Sequence, residues 1–168
     1  MPQIERVALV WDPNSTPDQL QAAKAAASTL RIDALVLEVR RPEEFEGAFK
    51  GLGSERRTGV VLLGSPTFVS PPARTSFGDA ALKHGLPAIT FLKSSAEAGA
   101  LMAYGPSAPR YYARAVILAD KILKGEKSGD QPIERPDQFD LVINLRTAKA
   151  LGLTIPATLL SLADALIE

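Results

Sequence analysis

The chain is expected to be α/β, a three-layer α/β/α sandwich around a mostly parallel sheet, on three observations. Short β-branched runs alternate with amphipathic segments four times between residues 7 and 91. The runs are apolar without a period of two, which marks strands covered on both faces. The connections are short, so each helix folds back over the sheet it has just left.

Residues 7–11 read as the first strand, ending in Asp12-Pro13-Asn14-Ser15. Pro17 sits near the start of a helix whose Leu20, Ala23, Ala27 and Leu30 keep the 3.6 period. Residues 34–39 form a second strand, and Phe45, Ala48, Phe49 and Leu52 line a second helix after Pro42. A third strand, 59–63, runs into Gly-Ser-Pro-Thr. The helix 72–84 follows and stops at Gly85, and 87–91 is a fourth strand with Pro at its tolerated first position. Right-handed crossovers place the loops after these strands on one edge of the sheet: 12–16, 65–68 and 93–95. Beyond Gly99 come a short strand at 100–104 and a helix at 107–124. Its Tyr112, Ala115, Val116, Ala119, Ile122 and Leu123 make one apolar face. A polar linker, 125–138, returns the chain to FDLVINLRTAKALGLTIP at 139–156. That stretch reads as a buried strand expected to join the 7–11 group, a short helix closed by Gly152, and a last amphipathic helix over Leu159, Leu160 and Ala163.

The composition excludes several classes of function. At 168 residues the chain holds one domain with a real core. Nineteen basic and nineteen acidic residues leave no field for nucleic acid or an anionic membrane. No apolar run approaches the roughly 20 residues needed to span a bilayer. With no cysteine there is no disulfide, thiolate metal site or Cys nucleophile, which suits a reducing cytosol and a periplasm equally. The opening MPQIERVALVWD has no basic region, apolar core or cleavage site, so the chain as written is expected to remain cytoplasmic.

Catalytic motifs fare poorly. KGEKSG at 124–129 lacks the spacing and preceding strand of a phosphate loop and reads as a solvated turn. His84 is the one histidine, and its place beside Gly85 suits a helix C-terminus. A phosphoacceptor receiver has the same alternation, with Asp12 and Lys93 near two of its positions, yet the third strand ends at Ser65 where an aspartate is required. GSPTF is not a nucleophile elbow. What remains is a rim of small polar groups, Asp12, Asn14, Ser15, Thr16, Ser65 and Thr67, suited either to holding a small ligand or to capping helices. Trp11 and Tyr104 are aromatics for core or stacking.

Four segments, GLPAI at 85–89, EAGALMAYGP at 97–106, ADKILKGEK at 119–127 and the stretch 139–156, resemble ABC-transporter solute-binding proteins of the tryptophan-binding-like group. The resemblance implies one lobe of a two-lobed type I periplasmic-binding fold, truncated to that lobe. Residues 1–98 with 139–152 would be its core, 100–125 an excursion toward the first lobe, 125–138 a linker and 153–168 a C-terminal helix. It implies a site at residues 12–16 and 65–68, which adds Pro66 and Phe68 to the rim, with Tyr104 near the hinge. It also implies an amino acid-like solute, an ABC permease as partner, a periplasmic location, no cofactor and no catalysis. The uncovered face of the 107–124 helix predicts a homodimer. A self-associating structural domain and a flavodoxin-like enzyme domain are the alternatives.

Overall fold

The computed structural model describes residues 4–54 and 57–168. Seven strands form one sheet: β1 (Arg6–Trp11), β2 (Asp33–Glu38), β3 (Thr58–Leu62), β4 (Ala88–Thr90), β5 (Met102–Pro106), β6 (Phe139–Asn144) and β7 (Ala165–Ile167), in the order β2-β1-β3-β4-β5-β6-β7. All neighbours are parallel except β5 and β6. Helices α1 (Pro17–Thr29), α2 (Phe45–Phe49), α3 (Pro71–Lys83), α4 (Lys93–Glu97), α5 (Ala108–Leu123), α6 (Leu145–Ala150) and α7 (Ala157–Leu160) complete the chain.

Strand alternation sorts the core into two layers. One face of the sheet offers Ala8, Val10, Val60, Leu62 and Ala88 to a phenyl cluster from α2, α3 and the turn Pro66–Phe68, in which Phe45 lies 5.4 Å from Phe77 and 5.2 Å from Phe68. On that face α4 sets Ala96 against Ala103 and Val142. The opposite face packs Leu9 and Leu63 under Leu20 of α1, and Ile143 under Ala148 of α6. The sandwich is therefore three-layered, as the alternation implied.

Two expectations are corrected. The strand opened by Phe139 joins the sheet, but β3, β4 and β5 separate it from β1, and it runs antiparallel to β5. The chain leaves β5 through α5 and an open linker and comes back from the opposite direction, so no βαβ crossover is closed. The last helix is only four residues, and 165–167 is a strand. Asp164 donates its backbone N–H to the Leu141 carbonyl (2.8 Å), and its carboxylate accepts from the Leu141 N–H (2.7 Å). Pairing with the open edge of β6 thus outweighs the helical spacing of Leu159, Leu160 and Ala163, which still pack into the Ile143 cluster.

Helix α5 stands apart. None of its 16 residues is buried; Tyr112 and Val116 are each 68% exposed and Leu123 87%. The linker crosses it through an Arg114–Glu134 ion pair and a Ser107 N–H bond to the Gln138 carbonyl (3.1 Å), leaving a groove of about 700 Å³ lined by Tyr111, Ile117 and Leu118. Its neighbour β5, by contrast, sits inside the sheet with Ala103 buried.

Candidate functional site

The carboxyl ends of β1 and β3 converge on Asp12. Its position follows from the chain: the strand must stop at Trp11 because Pro13 removes the next donor. A parallel register then brings the loop after Leu62 alongside. The Leu63 N–H bonds the Val10 carbonyl (3.0 Å), and the Gly64 N–H reaches Gln19 Oε1 on α1 (2.8 Å), which holds the second loop over the first.

Asp12 is 2% exposed, and both carboxylate oxygens are filled. Oδ2 accepts from the Ser65 hydroxyl (2.6 Å) and the Thr67 hydroxyl (2.8 Å). Oδ1 accepts from the backbone N–H (2.9 Å) and side-chain amide (3.1 Å) of Asn14. Burial pushes the carboxyl pKa up, and the bonds from Ser65, Asn14 and Thr67 together overcome it, so the group sits below the ordinary carboxylate value. Ser15 closes the turn by donating its hydroxyl to the Asp12 carbonyl (2.6 Å). The Thr67 N–H donates to Ser65 Oγ (3.1 Å), which caps the single turn Pro66–Phe68.

The structure thus joins Asp12, Asn14, Ser15, Ser65 and Thr67 into one network, with Asn14 exposed and Ser15 and Thr67 half-buried at its surface. Thr16 and Pro66 are exposed beside it; Thr16 precedes α1 without a side-chain capping bond. Phe68 turns inward, 1% exposed, and belongs to the phenyl cluster. Tyr104, half-way along β5, stacks on Phe139 with ring centroids 5.6 Å apart. Trp11 packs beside Leu9 and Leu20 under α1. The third expected loop, 93–95, is the start of α4. Its Ser95 is fully buried, and its Lys93 pairs with Glu97 at 3.9 Å. Gln19 escaped the sequence reading because its partner lies 45 residues away.

The opposite edge carries a second polar knot. Asn144 donates its amide to the Ala96 carbonyl (2.7 Å) and accepts from the Thr147 N–H (3.0 Å), while the Thr147 hydroxyl bonds the Gly99 carbonyl (3.0 Å). These bonds satisfy the end of α4 and the start of α6, a structural task. His84 faces Glu46 at 3.2 Å beside Lys83, away from either knot.

Chemically the Asp12 network is a set of neutral hydrogen-bonding groups gathered on one carboxylate. The Ser65 proton is directed at a carboxylate held well ionised, a weak base, and no histidine stands near it. Among the described residues no group of three His, Cys, Asp or Glu side chains could hold a metal. None of the described helices is long and apolar enough to cross a membrane.

Comparison with solved structures places the fold. A conserved domain protein from Vibrio cholerae superposes with a TM-score of 0.88 at 21% identity, over 99% of this chain and 56% of its own. The ABC domain from Streptococcus pneumonia in complex with L-Trp gives 0.84 at 18%, over 97% and 55%. The ligand-free, open form of a substrate binding protein with adhesive properties from Clostridium difficile gives 0.72 at 19%, over 99% and 55%. The chain spans about half the length of these solved structures. No curated protein matches it. The family model described as ABC transporter substrate binding protein matches residues 1–167, and with that match over nearly every residue the chain belongs to the ABC transporter substrate-binding protein family.

Proposed function

We propose that the chain supplies one lobe of a two-lobed solute-capture site serving an ABC-type uptake permease. It binds a small amino acid-like molecule on the periplasmic side and catalyses nothing. The family match along residues 1–167 carries this reading. The polar network supports it: these groups lie at the carboxyl edge of a mostly parallel sheet, where α/β folds hold ligands, and Asn14 is exposed with Ser15 and Thr67 half-buried. The half-length coverage of the solved structures, and the L-Trp bound by one of them, support a single lobe and an amino acid ligand. NMR titration with L-amino acids tests it: the amides of Asn14, Ser15 and Thr67 should shift in a saturable way. Shifts confined to the Asn144–Thr147 edge would refute it.

A second reading, a self-associating domain, is favoured by one observation: α5 offers Tyr112, Val116, Ala119 and Leu123 to solvent, all four exposed. The two readings are compatible if the apolar face of α5 serves assembly and the rim serves the ligand.

A further inference from the structure

Counting hydrogens at the rim shows which half of a ligand it can hold. A Ser or Thr hydroxyl has one proton to give and lone pairs to receive; an Asn amide has two protons and one acceptor oxygen. The Thr67 hydroxyl proton is committed to Asp12 Oδ2, and the Ser15 hydroxyl proton to the Asp12 carbonyl. Asn14 spends one amide proton on Asp12 Oδ1, and its backbone N–H goes to the same atom. The Ser65 hydroxyl is used twice, donating to Asp12 and accepting from Thr67 N–H, and lies buried. The half-buried Thr67 and Ser15 and the exposed Asn14 therefore keep free acceptor capacity on Thr67 Oγ1, Ser15 Oγ and Asn14 Oδ1. One remaining Asn14 amide proton is the sole side-chain donor these three keep.

Charge argues the same way. Asp12 is a buried carboxylate whose bonding partners are all neutral, and no lysine, arginine or histidine is paired with it among the described residues. Its negative charge is offset only by dipoles, so the surface directly above it is favourable to a cation and unfavourable to an anion. The first-turn N–H groups of α1 are the competing donors nearby, and the same turn carries the exposed carboxylate of Asp18.

We propose that the Asp12 loop cluster selects the ammonium end of its ligand: a protonated amine, with three N–H donors, seats on Thr67 Oγ1, Ser15 Oγ and Asn14 Oδ1. Asp12 acts as the positioning residue that orients these oxygens outward and supplies the field. Carboxylates and phosphates are rejected at this spot. This rests on the solute-binding reading above and adds the chemical class of the group that the rim recognises.

The test uses the full chain and three matched probes: L-tryptophan, its amine tryptamine, and indole-3-propionate, which keeps the ring and acid but has no amine. Amide shifts of Asn14, Ser15 and Thr67 are followed against concentration. Tryptamine should reach half-saturation at roughly five- to tenfold lower concentration than indole-3-propionate, with the gap narrowing as salt is raised to about 0.5 M. Asp12→Asn should abolish or invert that ranking, an outcome that mere loosening of the loops would not give. Should that variant unfold, Ser15→Ala, which leaves the carboxylate bonds in place, should weaken tryptamine several-fold and leave the acid unchanged. Tryptophan shifts at the rim with the acid equal to or tighter than the amine overturn the inference and leave the solute-binding reading standing. No rim shift from any probe overturns both.

Discussion

At the residue scale Asp12 matters most, because one buried charge organises two loops from different strands. A buried group left without its partner costs about 1–3 kcal/mol, and truncation here would strand the hydroxyls of Ser65 and Thr67 as well as the Asn14 N–H. Asp12→Ala is expected to cost about 3 kcal/mol, since the half-buried members can turn to water, and to lower Tm by roughly 6–12 °C. Differential scanning calorimetry checks this. The pH dependence has a definite sign. The folded pKa lies below the unfolded one, so the stabilisation is complete above about pH 4 and is lost as pH falls through the folded value. Urea titrations between about pH 5 and pH 2 should show a steeper acid-side loss in the native protein than in Asp12→Asn. Equal slopes would mean that the carboxylate contributes nothing ionisable to stability.

At the element scale the close approach of α3 to the end of α4 is a tight constraint. Gly78 faces the Ala98 carbonyl and the Cα of Gly99, and a Cβ at position 78 would lie inside van der Waals contact with that backbone. Gly99 itself has φ +119°, a conformation open to glycine and few others. Gly78→Ala must therefore push the two helices apart, and the expected loss is about 2–3 kcal/mol, in the range of overpacked cores. Gly47→Ala in α2 meets open space and should be neutral or stabilising by about 0.5–1 kcal/mol through helix propensity. Chemical denaturation of the pair decides it: similar effects from both would show that helix propensity, not the α3–α4 contact, governs position 78.

At the scale of the whole molecule the sandwich and α5 are differently provided for. The sandwich buries every phenylalanine of α2 and α3, whereas α5 buries nothing, although apolar side chains of the Tyr112 and Val116 size are worth about 1.5–3 kcal/mol each when covered. Patches of that kind find partners. Sedimentation at micromolar concentration is expected to show self-association that reverses on dilution. Ile122→Asp should return the mass to a single species near 17.9 kDa with the far-ultraviolet spectrum unchanged. A monomer that persists at high concentration would count against assembly through this face.

Local information was enough for much of this. The runs at Val7, Val60 and Ile143 could only be buried strands, because unbroken β-branched apolar stretches of that length have no stable place in water. Four alternations with short connections then left a helix-covered parallel sheet as the economical arrangement. Strand ends followed by Asp-Pro-Asn-Ser and Ser-Pro-Thr put polar groups on one edge for the same local reasons. What periodicity leaves open is choice among distant partners. Leu159, Leu160 and Ala163 have helical spacing, yet the chain beyond them became a strand because β6 offered an unpaired edge, something set by residues 139–144 and invisible from within 157–168. Phe68 reads as a rim residue beside Thr67, but the phenyl cluster of α2 and α3 stood open on its side and drew it inward. That Asp12 spends all its acceptors on Asn14, Ser65 and Thr67 was likewise settled only when the fold brought together loops more than fifty residues apart, because the direction of a hydroxyl proton is fixed by where its acceptor lies.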